Sequence, residues 1–205
     1  MDVAEVDVLL CLYFSEKQEN DAAFYIQVTG EPVRRPDYFE YGMTFRTSTA
    51  NDYYYFSINH RGEFSLYSAV EGSFDALIVE TPSDAIVMDE VGRNTLGVLV
   101  LGDYIELYIN EEVVAVLMDR GNPTGETTVA AYTFVDANGT VSVAFDNFVY
   151  LPLDVTDELL MAERTAMIGT IRADRTHIRA RANIAGESLE DVEFGDLVVA
   201  LARTQ

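Results

Sequence analysis

Short runs in which apolar and polar residues alternate with period two, cut at intervals by turn residues, constrain this chain more than any other feature. A strand sends successive side chains to opposite faces, so the alternation says which residues share a face. Tyr41, Met43 and Phe45 fall on one parity, with Gly42, Thr44 and Arg46 on the other. Ile105, Leu107 and Ile109 oppose Tyr104, Glu106 and Tyr108 in the same way. Further runs are Val6–Val8–Leu10, Phe24–Ile26–Val28, Tyr53 to Ile58, Phe64–Leu66, Leu96 to Leu101, Val113 to Met118, Thr127 to Phe134 and Val141–Val143–Phe145. Turns are expected at His60-Arg61-Gly62, Gly102-Asp103, Asn110-Glu111-Glu112 and Asn138-Gly139. Roughly nine or ten strands, each with one wet face, predict an all-β, antiparallel two-sheet sandwich and argue against a parallel α/β sheet.

After Pro152 the pattern changes. Thr156-Asp157-Glu158 can cap a short helix running to Glu163 or Arg164. Residues 167–182 and 197–202 then read as strands again. Charge shifts at the same place. Residues 1–154 hold 26 acids and seven basic residues, whereas 155–205 hold nine and six. The expected organisation is a sandwich over 1–152, a linker with a short helix over 153–165, and a small β segment over 166–205.

The charge balance excludes partners. With 35 acids against 13 basic residues, and Lys17 the only lysine, nucleic acid and anionic membrane are not expected ligands. No segment approaches the roughly 18 apolar residues of a membrane span. The start, Met1-Asp2-Val3-Ala4-Glu5, lacks a basic n-region, so the protein is either cytosolic or exported by a signal outside this chain. The acid excess reads as adaptation to high salt or as repulsion that keeps displayed molecules apart. Cys11, the only cysteine, allows no intrachain disulfide and is expected to act as a small buried hydrophobe.

Three segments carry a resemblance. Residues 41–68 (YGMTFRTSTANDYYYFSINHRGEFSLYS), 94–116 (NTLGVLVLGDYIELYINEEVVAV) and 141–150 (VSVAFDNFVY) together resemble concanavalin A-like jelly rolls of bacterial surface proteins. The laminin-G-like and 3-keto-disaccharide-hydrolase-like group is the nearest variant. The likeness covers about residues 3–151 and implies a jelly roll, a fold that hosts many activities. Residues 168–204 resemble a bacterial Src-homology-3-like domain, through Asp174 to Arg179 and Phe194-Gly195-Asp196. Arg181-Ala182 stands where that family has Gly-Pro, and the chain stops before the W-Y strand. The first likeness begins late and the second ends early, so the chain reads either as whole or as a piece of a longer polypeptide.

Candidate sites follow. Glucan-hydrolysing relatives carry E-x-D-x-E on one strand, dividing acid and nucleophile roles. Glu5 and Asp7 match its first two acids, but Leu9 replaces the third, so a glycoside hydrolase is disfavoured. His60 and His177 are the only histidines; with one cysteine they make neither a zinc set nor, without G-x-S-x-G, a serine triad. Ca²⁺ is the candidate metal, since the resemblance implies sites between loops and the ion needs oxygen ligands. The pairs Asp119–Asn122, Asp136–Asn138, Asp89–Glu90 and Asp146–Asn147 could supply them, although none has EF-hand spacing. The outward tyrosines Tyr53, Tyr55, Tyr67, Tyr104, Tyr108 and Tyr132 are a candidate sugar platform, set against their ordinary role as cross-strand pairs. Asn138-Gly139-Thr140 fits a glycosylation sequon and, better, a hairpin turn.

The expectation is therefore a non-catalytic extracellular or cell-surface recognition module that binds glycan or a protein partner. It requires no cofactor, with Ca²⁺ as a candidate. The alternative is a structural subunit of a surface assembly or filament, self-associating through β edges.

Overall fold

The computed structural model describes residues 10–13, 23–122, 125–133, 140–153, 164–170, 176–179, 188–192 and 197–203. The chain divides into two compact units, Met1–Val155 and Thr156–Gln205. The first contains eleven described strands: β1 (Leu10–Tyr13), β2 (Ala23–Arg34), β3 (Glu40–Thr49), β4 (Asp52–Asn59), β5 (Glu63–Val70), β6 (Ser73–Pro82), β7 (Asn94–Leu101), β8 (Tyr104–Ile109), β9 (Glu112–Met118), β10 (Glu126–Tyr132) and β11 (Ser142–Pro152). The second contains β12 (Arg164–Thr170), β13 (Thr176–Arg179), β14 (Ser188–Val192) and β15 (Leu197–Arg203).

The first unit is a jelly-roll sandwich. One sheet has six strands in the order β1-β10-β3-β4-β5-β6; the other has five, β11-β2-β7-β8-β9. Every described pairing is antiparallel. In the second unit β12 pairs with β15 and β13 with β14. The helix expected from Thr156 lies outside the described residues, while Arg164 and Thr165 already belong to β12.

The inner faces build one core from the expected parities. Phe24, Ile26 and Val28 meet Tyr41, Met43, Phe45, Tyr54, Phe56, Leu66, Val98 and Leu107 there. Fully burying such a side chain stabilises the fold by about 1.5–3 kcal/mol. Two hairpins turn as expected: Gly62 (φ 76°) follows His60-Arg61, and Gly102 (φ 60°) opens the β7–β8 turn. Two-residue turns join β5 to β6 through Glu71-Gly72 and β8 to β9 through Asn110-Glu111. All four residues have positive φ, the twist that suits tight hairpins. Asn138-Gly139 lies outside the described residues.

Bulges explain where parity misleads. Arg46 takes φ 50° where the β3–β4 register shifts. It leaves the outer face, lies buried over the Phe24 ring and donates to the Gly102 carbonyl at 2.8 Å. In β11 the register slips between Asp146 and Val149, with Asn147 at φ 52°. That extra residue lets Phe145 and Phe148 both pack on the core. Pro32 interrupts β2 beside another slip, where the absent N–H is tolerated.

Candidate functional site

The outer face of the six-stranded sheet is built from residues of the opposite parity to the core. A row of small side chains crosses four strands: Ala130 on β10, Gly42 on β3, Ser57 on β4 and Ser65 on β5. A Cβ at Gly42 would run into the carbonyl oxygen of Phe56, so no larger residue fits that close approach. Aromatic residues stand on either side of the row. On one side Tyr55 stacks on Tyr67 with centroids 6.5 Å apart, and Tyr67 stacks on Phe74 at 5.0 Å. Tyr53 leans against Phe74 at 6.3 Å. The run spans β4, β5 and β6 and ends in Phe74, which is 54% exposed. On the other side Tyr38 meets Tyr132 edge-on at 6.3 Å and His60 at 5.1 Å.

Glu40 projects from β3 between these two aromatic groups. Its Oε2 lies 3.5 Å from the Tyr38 hydroxyl, and the Tyr55 and Ser57 hydroxyls are near enough to act on its charge, although Ser57 Oγ makes no hydrogen bond. Burial is the main influence on its carboxyl and pushes the pKa up to about 7. The three hydroxyls oppose that rise, and the charge of Glu80 adds to it. Tyr38 and Tyr132 are raised as well, first by burial and then by Glu40. Glu80 takes φ 32°, and its N–H donates to Ser65 Oγ at 2.9 Å. Arg61 pairs with Glu80 at 2.9 Å and Glu63 at 3.0 Å, so this cation is already engaged.

The six tyrosines read from sequence do not share one surface. Tyr53, Tyr55, Tyr67 and Tyr132 lie on the six-stranded sheet. Tyr104 and Tyr108 lie on β8, in the other sheet, flanking Glu106. On that second face Glu106 is 2% exposed and Leu99 is buried, as Tyr55, Ser57 and Ser65 are on the first, and Tyr25 meets Tyr108 edge-on. Burial raises the Glu106 carboxyl, against the hydroxyls of Tyr108 and Tyr104.

The acid–amide pairs are used internally. Asp119 accepts from the Tyr54 hydroxyl and from Gly121 N–H, and Asn122 donates to the Ala69 carbonyl at 2.9 Å. Asp89 Oδ1 accepts from Val91 and Gly92 N–H at 3.0 and 2.6 Å. Beside it Arg35 donates to the carbonyls of Asp89, Glu90 and Val91 at 3.4, 2.8 and 2.6 Å. Asp146 is exposed, pairs with Arg93 at 3.8 Å and accepts from Asn147 N–H. Among the described residues no group of three or more His, Cys, Asp or Glu is placed to hold a metal. Glu5, Asp7, Asp136 and Asn138 lie outside the described residues. Cys11 pairs with Ala130 across β1–β10, and His177 with Asp191 across β13–β14.

Sequence reasoning passed over Tyr38, Glu40, Phe74 and Glu80. Extending the β3 alternation one step back from Tyr41 places Glu40 on the Gly42–Thr44 face, a signal that was present. Phe74 and Glu80 belong to β6, whose pattern two register shifts obscure.

No family model matches the chain. No curated protein matches it either. Solved structures do share its fold. The carbohydrate-binding module CBM66 from Bacillus subtilis aligns with a TM-score of 0.50 and 14% identity, over 64% of this chain and 76% of that one. Sheep galectin-11 aligns at 0.48 and 12%, over 73% and 100%. A Bacillus licheniformis β-glucanase aligns at 0.48 and 14%, over 66% and 68%. The first likeness establishes a common jelly-roll sandwich. Among the described residues no helix is long and apolar enough to cross a membrane.

Proposed function

We propose that the chain is a non-catalytic, extracellular or surface-displayed glycan-binding module whose ligand lies across the outer face of the six-stranded sheet. The observation that carries this is the stacked pair Tyr67–Phe74, backed by the buried Tyr55, beside the carboxylate of Glu40. Sugar rings present apolar C–H faces that stack on aromatics and hydroxyls that need fixed polar partners, and this face offers both. A fold shared with a carbohydrate-binding module supports the reading. It needs no cofactor and assigns no role to Ca²⁺. The Src-homology-3 likeness of 166–205 is part of the same proposal, supported by its two antiparallel strand pairs.

Affinity electrophoresis and calorimetry against a panel of soluble polysaccharides test it. Tyr67→Ala and Phe74→Ala should each weaken binding by about tenfold, or about 1.4 kcal/mol. Chelation should leave binding unchanged. Full binding by the double variant would remove the site, and release of reducing ends that stops in Glu40→Gln would overturn the non-catalytic reading.

Edge strand β9 favours a second reading, that of a structural subunit. Its Val113, Val116 and Met118 are 49%, 54% and 67% exposed, an apolar strip of the kind that recruits a protein partner or another copy. Molecular mass that rises with concentration, and falls back in Val116→Lys, would bring this reading forward.

A further inference from the structure

Resting on the glycan-binding reading, we propose that Glu40 is a seat for an ammonium group, so that the outer face selects glycans bearing free amines over neutral or anionic ones. Three observations lead there. First, the carboxylate is half-buried, takes a 3.5 Å contact from the Tyr38 hydroxyl and lies near the uncharged hydroxyls of Tyr55 and Ser57, and its near charged neighbour is another acid, Glu80. A carboxylate so placed lacks a counter-charge, and burial disfavours its ionised form until one arrives.

Second, the described residues of Ala23–Leu153 supply no unengaged cation. Among the described residues of Ala23–Leu153 there is no lysine, and each of the six arginines already has a partner. Arg61 is held by Glu63 and Glu80, Arg93 by Asp146, and Arg120 by Asp103. Arg34 donates to Thr140, Arg35 to the 89–91 carbonyls, and Arg46 to Gly102. This leaves no ready partner for a uronate, sulfate or sialate on the ligand, and the net charge of -22 repels them further.

Third, the surroundings of Glu40 are aromatic. Tyr38, Tyr132 and His60 stand on one side, with Tyr55 and Tyr67 on the other. Aromatic faces attract ammonium groups, and a carboxylate between them adds a charge-assisted hydrogen bond. Binding should expel the proton that Glu40 carries near neutral pH, because a cation at hydrogen-bonding range restores its ordinary acidity. The groups that face Glu40 are Glu80 from β6, Tyr55 and Ser57 from β4, Tyr67 from β5, Tyr132 from β10, and Tyr38 ahead of β3 with His60 against it. Glu80 is the other carboxylate among them and is tied to Arg61.

The test is calorimetry of the full chain with three probes of equal length: a glucosamine hexamer, its N-acetylated counterpart and cellohexaose. Titrations run at about pH 5.5, where the glucosamine amines are already ammonium and Glu40 still holds its proton, near physiological salt, in two buffers of different ionisation enthalpy. The glucosamine hexamer should bind at least about tenfold more tightly than the other two. Proton release per site should exceed that of the N-acetylated hexamer. Glu40→Gln, with unfolding followed to confirm its fold, should erase the preference and the extra release. Equal binding of all three by the wild type would overturn the ammonium seat and leave the glycan reading standing. A preference that survives Glu40→Gln would overturn it too, by assigning selectivity to overall charge. Binding of a lysine-rich peptide, with none of any hexamer, would overturn both.

Discussion

Glu40 shows how one residue can couple a surface to the stability of the fold. In the unfolded chain its carboxyl titrates in the ordinary glutamate range, near 4.5; in the fold, burial moves it to about 7. Below pH 4.5 both states hold the proton and the residue is neutral toward folding. Between pH 4.5 and 7 the unfolded chain gives up its proton first, so stability falls as pH rises. Above pH 7 the penalty is complete. Glutamine stays neutral throughout, so Glu40→Gln should match the wild type at pH 4 and exceed it by up to about 3 kcal/mol at pH 8. Urea unfolding at the two pH values measures this; equal stability at pH 8 would mean that the carboxylate is already compensated. Glu106, also raised by burial, slopes the same way.

At the scale of elements, the β7–β8 hairpin is pinned by two asparagines at its open end. Asn94 donates to Tyr41 Oη, the Val87 carbonyl and the Gly92 carbonyl, and accepts from Val87 N–H and Asn110 Nδ2. Asn110 donates also to the Ala85 carbonyl and accepts from Thr95 N–H. Truncation would strand several buried polar groups, so Asn94→Ala should cost about 3 kcal/mol or more, read by chemical denaturation. The faces of β3, β4 and β8 and the turns at Gly62 and Gly102 were legible because parity and turn chemistry are local properties. The division of the tyrosines was not. Parity says that Tyr67 and Tyr108 point outward, but only strand order shows that β5 and β8 belong to different sheets. Arg46, Asn147 and the whole of β6 escaped for a related reason: a bulge resets the period, and its position depends on the partner strand.

For the whole molecule, charge sets the environment in which the fold is comfortable. Residues 1–154 carry 26 acids against seven basic residues. Raising sodium chloride from low levels to about 0.5 M shortens the screening length from tens of ångströms to a few. The melting temperature should then rise by about 5 °C or more. A flat response would show that local pairing already absorbs the repulsion. Composition made the charge imbalance plain, but it could not locate the proposed ligand face. That face depends on which acid lies among aromatics and which is solvated, a distinction between Glu40 and the exposed Glu71 that no count contains.

The turn held by Arg35 has a consequence for what this scaffold can become. The guanidinium grips the carbonyls of Glu90 and Val91, not their side chains. Every amino acid has that carbonyl, so the anchor is blind to identity at both positions while Asp89 keeps its capping role. Positions 90 and 91 are therefore open to randomisation, a ready-made pair of library sites at a rigid mount whose cation, being part of the chain, no chelator can remove.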